Sequence, residues 1–159
     1  MRLLIVRHAI AVSRETPGMS DGERPLTAEG RRKFRRVAGG VAKLVRRPDA
    51  LLTSPMLRAR QTADLLAAAW KHLEPQPEES LATGDFAGLE AVLARYRPEQ
   101  LVAIVGHEPH LSGLLAHIVD ARAPDRFAFR KGGSAMVELK GALSEGGLLH
   151  WFARPRMFR

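Results

Sequence analysis

Three short stretches of this sequence combine residue types suited to handling an anion: Arg7-His8 in "LLIVRHA", Arg58 in "SPMLRARQTA", and Gly106-His107 in "IVGHEP". Two guanidiniums offer rigid, bidentate forks of N–H donors, and two imidazoles can accept, donate or act as nucleophiles. A tetrahedral dianion such as a phosphoryl group is the ligand that such a set suits. Each stretch also has a plainer reading. Arg7-His8 could be the first solvated pair after a strand, Gly106-His107 a turn and cap, and Arg58 or Arg60 merely an exposed helix start. What favours chemistry is the conjunction of the three.

The conjunction depends on the elements that carry them. "RLLIV" reads as a buried strand and ends at Arg7. "ALLT", Ala50 to Thr53, is a short strand; Ser54 and Pro55 then supply an N-cap and first position for a helix running to about Trp70, with Arg58 in its first turn. "LVAIV", Leu101 to Val105, is uniformly apolar and leads through "GHEP" into a helix with Leu111, Leu114, Leu115 and Ile118 on one face. Between the first two strands, Thr27 caps a helix to about Arg46, its apolar face formed by Phe34, Val37, Ala38, Val41 and Val45. Pro75, Pro77 and Gly84 mark an irregular stretch, followed by a short helix near Leu89 to Tyr96. Uniformly apolar strands alternating with helices predict an α/β fold: three layers, a mostly parallel central sheet covered by helices on both faces. After Pro124, "RFAFR", "AMVEL" and "LLHWF" predict short strands at a mixed or antiparallel C-terminal edge. In such sheets ligands sit beyond the carboxyl ends of the strands, which is where all three stretches fall.

Length and composition bound the rest. With 159 residues, no internal repeat and no linker, the chain reads as one domain spanning 1–159. No apolar run approaches the ~18 residues of a transmembrane helix, and Arg7-His8 cuts the N-terminal apolar run short of a signal peptide, so a cytoplasmic protein without a membrane partner is expected. The absence of cysteine excludes disulfides and thiolate metal sites and fits a reducing compartment. The net charge of +8 rests on 20 arginines against five lysines. The charges of its densest run, "RRKFRR", lie opposite the apolar face of the helix, to which Phe34 belongs, and no aromatic shares their face, so the run predicts a solvated surface with a general attraction for anions, not a nucleic-acid platform.

In order and spacing, "LLIVRHA", "RPLTAEG", "TSPMLRARQTA" and "IVGHEP" resemble the successive motifs of the histidine phosphatase superfamily, the phosphoglycerate mutase-like group. The short chain and "SDGERPLTAEG" most resemble its compact SixA-type branch of protein phosphohistidine phosphatases. The likeness runs from Met1 to about Asp120, with a weaker echo in "FRKGGSAMVEL". It implies a phosphatase that passes through a phosphohistidine enzyme intermediate: His8 as nucleophile, and Arg7, Arg58 and His107 gripping the phosphoryl oxygens. A nucleophilic imidazole must be neutral; flanking arginines disfavour its protonation, and a backbone carbonyl should hold the other ring nitrogen. Fixed cations take the place of a metal, so neither metal nor other cofactor is expected, and the partner is a phosphate-bearing substrate, a phosphohistidine protein foremost.

Two departures from the family pattern bear on this. Ala9 stands where many relatives have glycine, which preserves a backbone carbonyl. The segment that carries a carboxylate acid in larger members is short here, leaving Asp85, Asp21, Glu15 and Glu108 as candidates, with Asp21 as a turn residue and Glu108 as a cap their plainer readings. A phosphohistidine substrate tolerates the lack of an acid, because its imidazole can leave neutral. A phosphatase of small phosphate esters or polyphosphate-related anions, and a noncatalytic phosphate-binding module, are the other readings.

Overall fold

In a computed structural model describing residues 1–159, β1 (Arg2–Arg7) is followed by α1 (Ala28–Leu44), β2 (Ala50–Thr53) and α2 (Leu57–Ala69). Then come β3 (Pro75–Pro77), α3 (Ser80–Thr83), α4 (Phe86–Leu93), β4 (Leu101–Gly106), α5 (His110–Ile118), β5 (Ser134–Leu139) and β6 (Gly147–Ala153). The six strands form one sheet in the order β3-β2-β4-β1-β5-β6. The first four in that order run parallel, and β5 and β6 add an antiparallel edge, as the alternation of apolar strands and helices predicts. No helix is long and apolar enough to cross a membrane.

Strand periodicity divides the core into two layers. Leu4 and Val6 of β1 point into a cluster with Phe34, Val37 and Val41 of α1 and Ala59, Ala63 and Leu66 of α2. Leu3 and Ile5 point the other way, against Leu81, Leu89 and Leu93 of the α3–α4 segment and Leu111, Leu114, Leu115 and Ile118 of α5. Side chains of this kind each contribute roughly 1.5–3 kcal/mol when fully buried, so β1 is clamped between two apolar layers along its whole length. A cap, not composition, sets where α1 starts: Thr27 Oγ1 accepts from Gly30 N at 2.9 Å. The run of cations on α1 lies mostly outward, with Arg32, Arg35 and Arg36 exposed.

Several local expectations are corrected. Ser54 and Pro55 do not cap α2; the helix begins at Leu57 with Met56 as its N-cap residue, and Ser54 is fully buried before it. Pro75–Pro77 is a strand, not irregular chain, and is permitted because β3 is the outermost strand, where a missing N–H spoils no ladder. α4 begins three residues earlier than expected because the Asp85 carboxylate caps it, accepting from Gly88 N at 3.0 Å. "RFAFR" is not a strand: β4 and β5 already occupy both edges of β1, and the segment crosses the end of the sheet as a 3₁₀ turn (Pro124–Phe127) and coil.

Candidate active site

Because β4 lies between β1 and β2, their carboxyl ends finish level: Arg7 pairs with Gly106 and Thr53 with Val105. His8 N donates to Gly106 O at 3.1 Å and Ser54 N to Val105 O at 3.0 Å, so the three post-strand turns are laced into one rim. The structure thereby brings Arg7, His8, Arg58 and His107 together. The His8 and His107 ring centroids are 5.2 Å apart, and Arg58 Nε donates to His8 Nε2 at 3.3 Å. His8, Arg58 and His107 are all at least nine-tenths buried, and Arg7 is half-buried.

Each side chain is held by its neighbours. His8 Nδ1 lies 2.7 Å from Ala9 O, a backbone carbonyl as expected though the sequence did not say which; this places the ring proton on Nδ1 and leaves the Nε2 lone pair facing Arg58. Ala9 N donates to Thr62 Oγ1, which itself donates to Arg58 O; this explains the threonine in "RARQTA". The glutamine in the same motif accepts from Leu26 N at 2.8 Å, tying α2 to the "RPLT" segment. Arg7 Nη1 donates to Phe129 O at 2.6 Å, so the corrected "RFAFR" segment orients a site residue after all. Gly132, at φ +80°, donates its N–H to His8 O at 3.0 Å; a side chain there would strain the backbone turn that supports His8. Ser54 Oγ accepts from Met56 N and lies 2.7 Å from His107 Nε2, which fixes the ring in place. Arg7 Nε is a buried donor with no partner in the protein, and His107 Nδ1 is also unpartnered. Donors of this kind are costly unless something accepts from them, and phosphoryl oxygens do.

The sequence put Asp21 forward as an acid or a turn residue, not as the group that holds Arg58. Asp21 accepts from Arg58 twice, through its backbone carbonyl at 2.7 Å and its carboxylate at 3.2 Å. Arg24, nearly fully buried, grips the same carboxylate at 2.9 Å and donates to Val12 O at 2.7 Å. The only trace of this in the sequence was the "SDGERPLTAEG" segment itself. None of the other acid candidates is hydrogen-bonded to the four. Asp85 caps α4, Glu108 accepts from Ser112 N and Ser112 Oγ, and Glu15 makes no hydrogen bond to any of them. Burial lowers the Arg7 guanidinium below its ordinary value, and the nearby Glu108 charge opposes that shift. Arg60 is exposed and turned away from the cluster, beside Asp64 and Glu74.

Burial pushes the His8 imidazole down to about 3, with the neighbouring His107, Arg58 and Arg7 adding to the effect and the Ala9 carbonyl opposing it. The arginines therefore keep His8 neutral less than its removal from water does, a correction to the sequence-based reading. His107 is lowered to about 4, again by burial first and then by Arg58. Burial alone would raise the Asp21 carboxyl, but Arg58 and Arg24 hold it below its ordinary value.

These imidazoles should be visible in stability. An unfolded histidine takes up its proton near pH 6.5, whereas folded His8 and His107 stay neutral to about 3 and about 4. Below pH 6.5 the unfolded state binds more protons, so stability is full above that pH and falls as the medium is acidified. Urea unfolding at pH 6.5 and pH 5 should show a loss of about 2 kcal/mol per histidine. A flat profile would mean that both rings protonate within the fold.

The family model of the histidine phosphatase superfamily (branch 1) matches residues 3–92. An uncharacterized protein of Picosynechococcus sp. is 40% identical over 114 residues, covering 70% of this chain and 68% of that protein. The structure of the protein histidine phosphatase SixA complexed with tungstate superimposes with a TM-score of 0.85 at 26% identity, covering all of both chains. An alpha-ribazole-5'-P phosphatase structure from Escherichia coli K-12 shares the fold, with a TM-score of 0.78 at 19% identity over 98% of this chain and 97% of that one. With its first strand, its α2 motif and its sheet all matched, the chain belongs to the histidine phosphatase superfamily, in the compact SixA-like form.

Proposed function

We propose that this chain is a phosphohistidine phosphatase working through a covalent phosphohistidine intermediate on His8. In the first step His8 Nε2 attacks the substrate phosphorus while the P–N bond to the substrate imidazole breaks. That imidazole, already protonated on its distal nitrogen, departs neutral. In the second step water attacks the same phosphorus, the bond to His8 breaks, and inorganic phosphate leaves. Charge accumulates on the equatorial oxygens in both steps, so the protein's task is positioning and electrostatic stabilisation. Arg7, Arg58 and His107 supply the donors.

The observation that carries this reading is the state of the carboxylates. An alkoxide leaving group needs a proton as it departs. Asp21, the one acid bonded to this cluster, is held ionised by two guanidiniums and is poorly suited to donate one. Phosphohistidine needs no such acid. The fold alone does not choose the substrate, since it is shared by an alpha-ribazole-5'-P phosphatase. The likeness to SixA supports the phosphohistidine choice. No cluster of three or more His, Cys, Asp or Glu side chains is placed to hold a metal.

The direct test is release of phosphate from a phosphohistidine-bearing protein in excess chelator. Turnover should proceed undiminished; loss of activity that divalent metal restores would overturn the metal-independent mechanism, and turnover confined to esters would overturn the substrate. The two arginines of "RAR" also separate. Removing one donor to the developing charge costs about 10²–10³-fold, so Arg58→Ala should lower kcat/KM by that much. Arg60→Ala should stay within about threefold of the parent, because its side chain faces solvent. Equal losses at both positions would refute the assigned role of Arg58.

A further inference from the structure

One wall of the catalytic cluster opens into a cavity of about 540 Å³, lined by Arg7, His8, Arg14, Arg24 and Lys131 and by the segment 11–13. At roughly 30 Å³ per water, this is far more room than one phosphoryl group fills. Its lining holds four cations and no carboxylate. Asp21, just behind it, is shared among Arg24 at 2.9 Å, Arg58 at 3.2 Å and Arg14 at 3.9 Å, one negative charge against three guanidiniums.

A dianion docked at His8 would be answered by Arg7 and Arg58, which leaves Lys131 without a counter-charge and Arg14 with only a share of Asp21 at 3.9 Å. The Lys131 ammonium registers this crowding. It is pulled below its ordinary value by partial burial first and then by Arg7, Arg24, Arg14 and Arg58. Both surplus cations are exposed at the outer rim and do not sit at the buried end of the cavity. An anion they bind must therefore enter from the surface, alongside the group presented to His8. The N-terminal ends of α1 and α2 add partial positive charge to the same side of the sheet.

We propose that this rim selects phosphohistidine displayed next to acidic side chains on a protein surface, the phosphoryl group at His8 and an Asp or Glu of the same partner at Arg14 and Lys131. The proposal rests on the phosphohistidine reading and adds the partner's charge to it. Exposed ion pairs are individually weak, so the preference is modest and carried mainly by KM, and it declines with salt as the pairs are screened.

The test compares two phosphohistidine peptides that differ only in flanking Asp/Glu or Asn/Gln, with the wild-type chain and with Arg14→Glu and Lys131→Glu. The Arg14 side chain is 76% exposed but lies 3.9 Å from Asp21, so the two peptides are compared within each variant and the ratio is read, not the absolute rate. We expect the acidic peptide to be favoured about fivefold to tenfold in kcat/KM at low salt. That ratio should fall toward one at about 300 mM salt, and fall to one or below in either variant. A ratio of one in the wild-type chain, with both peptides turned over, would overturn the acidic-partner proposal and leave the phosphohistidine reading standing. Failure to hydrolyse either peptide while esters are hydrolysed would overturn both. A preference that survives both charge reversals would show that the rim is not its source and would also overturn the proposal.

Discussion

Replacing His8 by alanine should abolish turnover, by on the order of 10⁴-fold or more, while oxyanion binding persists. The reason lies in the separation of roles within the cluster. His8 Nε2 is the only nitrogen there with a lone pair facing an arginine donor, its Nδ1 proton being committed to Ala9 O. Arg7, Arg58 and His107 hold their places through other contacts: Phe129 O, Asp21 and Ser54 respectively. Losing the imidazole therefore removes the nucleophile without dismantling the donors. Tungstate or phosphate should still bind the variant, measured by calorimetry or by the rise in melting temperature. The variant should also lose less stability than the parent between pH 6.5 and 5, since one of the two histidines kept neutral by burial is gone. Residual turnover near that of the parent would remove His8 from the nucleophile's role, and loss of both binding and turnover in a folded variant would mean that it grips as well as attacks.

The second large effect concerns the leaving group. With Asp21 held ionised by Arg24 and Arg58, and Asp85 and Glu108 committed to N–H and O–H donors of their own helices, no acid is ready to protonate a departing alkoxide. A missing general acid costs typically 10²–10⁴-fold, so alkyl phosphates should react that much more slowly than phosphohistidine in single-turnover measurements. Aryl phosphates should fall between them, with rates that depend steeply on leaving-group pKa. Asp85→Asn and Glu108→Gln should leave phosphohistidine cleavage largely intact. Asp21→Asn should weaken it without abolishing it, because it loosens one of the contacts on Arg58. If alkyl esters react as fast as phosphohistidine, and one of these substitutions removes only the ester reaction, an acid is present and the chain is a phosphatase of small esters.

Much of the architecture was legible because burial leaves a periodic signature. β1, β2 and β4 are apolar without alternation, as strands covered on both faces must be, and α1 and α5 carry their core residues at helical spacing. The misreadings share a physical cause: local signals that tertiary contacts override. Ser54-Pro55 has the form of a helix cap, yet the serine hydroxyl faces His107. Pro75 and Pro77 have the form of a strand breaker, which matters only where both edges of a strand are paired. Phe127 and Phe129 have the alternation of a strand, but no edge of β1 was left for them.

The site divides along the same line. The identity of its members and their place at strand ends could be read from the chain, because a cation or histidine directly after an apolar strand has few places to go, and the four motifs recur in a known order. How the members meet could not be read. That Arg7, Ser54 and His107 lie on one rim follows from β4 being inserted between β1 and β2, a pairing set by contacts between residues far apart in the chain, Arg7 with Gly106 and Thr53 with Val105, to which spacing is blind. The same holds for Asp21, whose hold on Arg58 spans the whole of α1 and β2 and keeps it ionised and unfit to act as an acid. The neutral state of His8 has the same origin. Two arginines beside an imidazole can be seen in a sequence, but the larger effect is the loss of water around it, which exists only once both core layers have closed over the end of β1.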